Sequence, residues 1–272
     1  MTLRTLRSPV LLSGVGLHTG HPVSVRCLPA PVGSGIVFVR TDRPGTPPVR
    51  AGVGAVSDAT RSVTLGGPPG IRTVEHLLAA AAVLGVSDLR VEVDGDELPA
   101  LDGSAGPIAE AMRAAGLVDL EGAQSVFHLR TPVYVIEGDA SILALPAPEL
   151  RLTYVVPLRV PALGTQVVDV HAGELSRLLD ARTWGYADEL AALRTAGLAR
   201  GAEPGNALGI GPQGYTTPPR GPDEPARHKA LDLLGDLSLI GGPLQAHVIA
   251  VAAGHRLHLA LVRAVLETEE AA

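Results

Sequence analysis

The sequence predicts an α+β protein of two halves. Strand-like segments come in groups, which points away from a doubly wound parallel sheet. Grouped strands with two main helices also occur twice, once before and once after a boundary near residues 121–125. The expected domains are therefore 1–122 and 123–272, and the short linker implies that they pack tightly. No repeat is visible in the residues themselves, although the halves could share a fold. At 272 residues and 46% hydrophobic composition, the chain can bury one large core or two modest ones.

In the first half, Val23–Leu28, Gly35–Arg40 and the stretch around Ser62–Leu65 read as strands, being β-branched and alternating. Thr73–Leu84 reads as a helix capped by Thr73, with Glu75 and His76 in its first turn and Gly85 ending it. Leu89–Val93 is a strand, the run DGDELP a turn, and Pro107–Ala115 a second helix stopped by Gly116. In the second half, Val126–Leu129, Val133–Glu137, Ser141–Leu145, Leu152–Pro157 and Gln166–His171 are strand-like. Glu174–Asp180 and Ala187–Arg194 are helical, and the Gly/Pro-rich 201–225 is loop with one short strand, Ala207–Ile210. Pro225 opens a strong helix, Ala226–Leu239, stopped by Gly241–Gly242. Ala246–Ala252 is a strand and Leu257–Leu266 the final helix.

A formal charge of −6 with no run of Lys and Arg argues against a nucleic-acid partner. The apolar part of MTLRTLRSPVLLSGVG is too short for a signal-peptide core. Leu77–Val86 has only the length of a buried helix, and Leu237–Ala253 is interrupted by glycine, proline and polar residues, so no membrane span is expected. A lone cysteine, Cys27, excludes an internal disulfide and fits a reducing cytosol. Of 22 basic side chains, Lys229 is the only lysine. Either it escaped a general replacement of Lys by Arg, or position 229 needs a compact ammonium.

On the helix Ala226–Leu239 the spacing i, i+4, i+8 puts His228, Asp232 and Asp236 on one face. His and Asp one turn apart can bind zinc through one nitrogen and one oxygen. The plain alternative is a solvated surface pair, but Leu231, Leu233, Leu234 and Leu237 set this stripe beside a buried surface. His76 could be the third ligand, with Glu75 beside it as the base acting on a water. Equally, Glu75 could be an acidic residue favoured by the helix N-terminus, and His76 a satisfied core histidine. His255 stands between a strand and a helix, a common place for a catalytic side chain. His18 lies in SGVGLHTG, whose backbone N–H groups could meet a phosphate. His21, His128, His171, His247 and His258 have no such surroundings and read as structural or surface residues.

In order, SGVGLHTG (13–20), TVEHLLAA (73–80), LDGSAGP (101–107), ARTWGY (181–186), RHKALDLLGDL (227–237) and AGH (253–255) resemble the UDP-3-O-acyl-N-acetylglucosamine deacetylases of lipid A synthesis. Six collinear motifs spanning nearly the whole chain make the resemblance specific. It implies two α+β domains, each a mostly antiparallel sheet with two helices, packed with the helices between the sheets. It implies zinc on His76, His228 and Asp232, a donor set that iron(II) also fits. It implies Glu75 as general base, Thr183 as the hydroxyl assisting the oxyanion, and His255 as the acid protonating the departing amine, its ring oriented by Asp236. Lys229 is then a substrate-binding lysine, Trp184 and Tyr186 line the sugar and nucleotide side, and His18 reaches toward the uridine diphosphate. Segment 187–215 corresponds to an acyl-chain insert, with Leu190, Leu193, Leu198, Leu208 and Ile210 to line a passage. A cytoplasmic monomer acting on an acylated UDP-sugar is expected.

Two departures touch the region that should meet the nucleotide. The family usually carries a basic residue where this chain has Ala252, three before the active-site histidine. After that histidine it tends to be Asn-rich, where this chain has Arg256, Leu257 and His258. Arg256 could replace the lost charge. The rival reading is a protein of this fold that hydrolyses, or only binds, a different N-acetylated sugar nucleotide.

Overall fold

The computed structural model describes residues 2–270. The first half contains β1 (Thr2–Leu6), β2 (Val10–Val15), β3 (Pro22–Pro29), β4 (Ile36–Arg40), β5 (Val49–Arg50), β6 (Val56–Asp58), β7 (Thr64–Leu65) and β8 (Ile71–Arg72). These are followed by α1 (Glu75–Leu84), β9 (Leu89–Val93), α2 (Gly106–Ala115) and β10 (Leu117–Ala123). The second half begins with β11 (Phe127–His128), β12 (Val133–Glu137), β13 (Ala140–Pro146), β14 (Arg151–Pro157) and β15 (Thr165–His171). Then come β16 (Trp184–Tyr186), α3 (Leu190–Thr195), β17 (Leu208–Gly211), β18 (Gly214–Tyr215), α4 (Glu224–Leu237), β19 (Leu244–Val251) and α5 (His255–Glu270).

The two main sheets repeat one topology. The first runs β2-β3-β9-β4-β5 and the second β12-β13-β19-β14-β15, with β11 added beside β19. In each, one neighbouring pair is parallel, β4 with β9 and β14 with β19, and the other neighbours on the path are antiparallel. A parallel pair needs a crossover long enough to hold a helix. Those crossovers carry α1 in the first half and α4 in the second. The chain is thus a structural repeat without a sequence repeat.

The equivalent helices α1 and α4 pack against each other, with α2 beside α1 and α5 beside α4. One apolar cluster runs from Val25, Phe38 and Val91 of the first sheet through Leu77 and Leu234 to Leu152 and Val248 of the second. Every residue of α4 is buried except Lys229. Such a helix has no solvated face, so the polar side chains it carries must be satisfied by one another or by a ligand.

The structure shifts several expected boundaries. Thr73 does not cap α1, which begins at Glu75 with no side-chain cap. Thr73 adopts φ 61° and its hydroxyl donates to Glu97 Oε1 at 3.1 Å, because that buried carboxylate competes for it. Residues 172–178 and 187–189 form 3₁₀ turns rather than α-helix, and α5 starts at His255, two residues earlier than expected. Strands β1, β2, β5, β6, β8, β10, β16 and β18 are additional to the expected set. Of these, β1 and β10 pair with each other, which ties residues 2–6 to the end of the first half.

Candidate active site

Gly235 sets how closely the two central helices approach, since a Cβ there would collide with the carbonyl group of Glu75. The first turn of α1 therefore lies against the middle of α4. Asp232 Oδ1 sits 3.3 Å from His228 Nε2 and 3.7 Å from His76 Nε2. The two imidazoles cross at 90° with ring centroids 5.1 Å apart. All three candidate donor atoms fall within 4.8 Å of one another.

The protons are arranged to leave two of those donors bare. His228 Nδ1 faces the carbonyl of Ala181 at 3.1 Å, and since a carbonyl only accepts, Nδ1 carries the hydrogen and Nε2 the lone pair. Burial pushes His228 down to about 4, against the pull of Asp232, so the ring is neutral. Burial disfavours the Asp232 charge, but His228 and Lys229 hold the carboxyl well below its usual range. Lys229 Nζ donates to Asp232 Oδ2 at 2.9 Å, which leaves Oδ1 for the cluster. The bare nitrogen of His228 and the free oxygen of Asp232, with the His76 imidazole beside them, make a donor set suited to a divalent cation.

The carbonyl that orients His228 is itself fixed. Buried Arg182 donates its backbone N–H and Nε to Glu224 Oε1 at 3.0 and 2.8 Å, tying the strand after Ala181 to the start of α4. Thr183 is clamped by its main chain, its N–H donating to Gly103 and its carbonyl accepting from Leu208, both at 2.8 Å. Its side chain is left on the wall of a cavity of about 380 Å³ that also reaches Glu75, His76, His228, Asp232 and His255.

Glu75 is buried and accepts the Val63 N–H through Oε2 at 3.1 Å, while Oε1 lies 3.8 Å from His255 Nε2. Burial pushes its carboxyl up from the usual value. Asp236 Oδ2 faces His255 Nδ1 at 2.7 Å. Burial works against charge on His255, but Asp236, Glu75 and Asp232 outweigh it and raise the ring to about 9.

The remaining expected residues are spread around the same cavity. Trp184 and Tyr186 stack edge to face at 5.6 Å, with Trp184 Nε1 donating to Pro225 at 3.1 Å and Arg159 over the Tyr186 ring. His18 is buried, and its Nδ1 accepts the Ala199 N–H at 3.4 Å, so Nε2 carries a proton that has no protein acceptor. The backbone around it is not offered to a phosphate. The N–H groups of His18 and Thr19 both donate to Glu97, each at 2.8 Å. Leu190, Leu193, Leu198 and Leu208 line the far part of the cavity, whereas Ile210 turns into the core at 1% exposure. Arg256 does not replace the charge missing at Ala252, because it pairs with Glu137 at the surface.

Three groups escaped the sequence reading. Glu97 collects the 18–19 segment and Thr73, and Glu224 collects Arg182 and the Arg220 N–H. His258 Nδ1 faces Asp236 Oδ2 at 2.8 Å. The signal for His258 was its i+3 spacing from His255, hidden when the helix is started at Leu257.

A His2Asp cluster able to hold a cation and facing a cavity, with a carboxylate and an imidazole opposed beside it, fits the class of metal-dependent hydrolases. Residues 3–267 match the family UDP-3-O-acyl N-acetylglycosamine deacetylase (LpxC), and the chain belongs to it. A UDP-3-O-acyl-N-acetylglucosamine deacetylase of Thermosynechococcus vestitus is 42% identical over 271 residues, covering 98% of this chain and 94% of the relative. Proteins of the same name from a Nostoc strain and from Myxococcus xanthus are each 41% identical, covering 98% and 97% of this chain and 99% and 86% of their own lengths.

Proposed function

We propose that this chain hydrolyses the N-acetyl group of UDP-3-O-acyl-N-acetylglucosamine, giving acetate and the free amine in lipid A biosynthesis. The observation that carries the reading is the convergence of the His76, His228 and Asp232 donors with Glu75 and His255 on one cavity that continues into a leucine-lined arm. His76, His228 and Asp232 would hold a divalent cation, zinc with iron(II) as the alternative, which would supply Lewis-acid polarisation at the amide carbonyl and the attacking water.

The chain's own groups then move the protons. Glu75 takes a proton from the attacking water as the oxygen bonds to the carbonyl carbon. Thr183 donates its hydroxyl to the oxyanion that develops. His255 gives its Nε2 proton to the nitrogen as the C–N bond breaks, and Asp236 holds the ring. The arm lined by Leu190, Leu193, Leu198 and Leu208 takes the acyl chain. Lys229 and the free Nε2–H of His18 serve the polar end of the substrate, and Trp184 and Tyr186 its sugar and nucleotide side. Residues 1–122 and 123–272 act as two domains of a cytoplasmic monomer. No helix among the described residues is long and apolar enough to cross a membrane.

A different N-acetylated sugar nucleotide is the second reading, supported by Ala252 and by the engagement of Arg256 with Glu137. Acetate release from acylated and non-acylated UDP-sugars separates the two. The proposal expects strong preference for the 3-O-acylated substrate, loss of turnover on chelation, and recovery with about one equivalent of zinc. Full activity after exhaustive metal removal would sink it.

A further inference from the structure

Asp236 is wholly buried, and both of its protein partners meet the same oxygen. Oδ2 faces His255 Nδ1 at 2.7 Å and His258 Nδ1 at 2.8 Å, while Oδ1 has no partner. Only the first imidazole opens onto the cavity. The second is buried between α4 and β14, where its Nε2 lies 2.9 Å from the hydroxyl of Tyr154.

The hydrogen count around His258 is constrained at both ends. The Tyr154 hydroxyl is 2.6 Å from the carbonyl of Ala253, which can only accept, so its one proton is spent there. Toward His258 the Tyr154 oxygen is therefore an acceptor, and Nε2 must carry a hydrogen. A neutral ring with that hydrogen would turn a bare Nδ1 onto a carboxylate oxygen, placing two acceptors face to face at 2.8 Å. That contact is repulsive in a buried site. Burial lowers the pKa of this ring from its ordinary value, against the pull of Asp236, but the two fixed acceptors on either side still call for a further proton between Nδ1 and Oδ2.

We propose that His258 is a positioning residue of the active site, donating from both ring nitrogens so that Asp236 is pinned from behind and holds His255 toward the cavity. The proposal rests on the functional reading above for the role of His255. The hydrogen-bond arrangement stands without it. The same contacts fix the launch of α5: Tyr154 bonds the Ala253 carbonyl, two residues before His255, in the turn where Ala252 takes φ 49°. Without His258 the carboxylate would be free to rotate Oδ1 toward His255, and the turn would be linked to α4 through His255 alone.

The test uses the full chain loaded with zinc and three variants, His258→Leu, His258→Asn and Tyr154→Phe. Imidazole ¹⁵N spectra near neutral pH should show both nitrogens of His258 protonated in the parent, with a low-field proton shared with Asp236. This readout does not depend on which substrate is turned over. In Tyr154→Phe the Nε2 signal should move while the shared proton persists. His258→Leu should lower kcat by roughly 10–100-fold, the usual effect of removing a group that orients a functional ligand. KM and zinc content should stay within about 2-fold of the parent on that account. His258→Asn keeps one donor to Asp236 and should recover part of kcat. The proposal is overturned if His258 shows a bare Nδ1, or if Leu and Asn lose activity equally and in proportion to lost thermal stability. A parent chain inactive on the UDP-sugar but with the expected spectrum would refute the substrate and leave the proton arrangement supported.

Discussion

Helices α1 and α4 occupy the same place in two copies of one topology, yet they meet the site differently. From α1 only the first turn contributes, Glu75 and His76, and the rest is apolar through Leu77–Ala81. From α4 three successive turns contribute, with His228, Asp232 and Asp236 on one buried face. A pair of helices equally rich in buried charge would carry a desolvation cost on both sides of their contact. Here one helix supplies the smooth surface and the other the polar stripe, so the charges are desolvated once and meet partners. The His76, His228 and Asp232 set exists only where the halves touch, since the first donor comes from residues 1–122 and the other two from 123–272.

The largest test breaks that division directly. His76→Ala from the first half and Asp232→Ala from the second should each abolish tight metal binding and turnover, since three protein donors are needed. Metal content by mass spectrometry under native conditions, alongside acetate release, checks both. A site belonging to one half would survive one of the two changes. Glu75→Ala, next to His76 on the same turn, should instead keep its metal and lose about 10²–10⁴-fold in turnover, the range of a general acid–base contribution. In the parent, turnover should rise with pH as Glu75 gives up its proton and fall as His255 gives up its own, because a base must be free and an acid charged. Glu75→Ala should lose the rising limb. A variant that loses metal would make Glu75 a ligand.

Contact between the halves can be altered without changing a polar side chain. Gly235→Ala puts a methyl against the Glu75 carbonyl, a backbone group that cannot rotate away. Overpacking of this kind costs about 1–3 kcal/mol. The midpoint of chemical denaturation should fall accordingly, and turnover should fall further than stability explains, since the displaced residue is Glu75. Unchanged turnover in a folded variant would mean that the spacing of α1 and α4 is not set here.

Part of the candidate site was legible because its residues are spaced by whole helical turns: His228, Asp232 and Asp236 repeat at four residues, so helix periodicity set them on one face. Glu75 and His76 share a turn, but periodicity left their roles open, and the family resemblance joined them to α4. The pairing of the two helices was not legible, because the glycine that permits it carries no pattern. Glu97 and Glu224 were missed for a related reason. Each satisfies backbone N–H groups far away in sequence, and a lone acid in a loop or at a helix start has no local signature. His258 was missed through a boundary error of two residues. The grouped strands gave the fold class, but β1 and β10 pair across more than a hundred residues and left no local trace.

The smallest expected effect compares the two turns that lead into the site. The starts of α1 and α5 each follow a non-glycine residue in the left-handed region, Thr73 at φ 61° before α1 and Ala252 at φ 49° before α5. That conformation costs an L-residue about 1–2 kcal/mol. Replacement by glycine removes the cost but returns about 0.4–1 kcal/mol of freedom to the unfolded chain. For Ala252→Gly nothing else changes, because its N–H bond to the Val155 carbonyl at 2.9 Å is made by the backbone. The balance should favour the variant by up to about 1.6 kcal/mol. Thr73→Gly gains the same relief and loses the hydroxyl that donates to buried Glu97. A hydrogen bond to a charged group is worth about 1.5–3 kcal/mol, so this variant should be the less stable one despite identical backbone arithmetic. Opposite signs in the denaturation midpoints of the two variants are the expected result. Equal stabilisation would show that Glu97 is satisfied by His18 and Thr19 alone, and that the left-handed turn at Thr73 is held for its geometry and not for its hydroxyl.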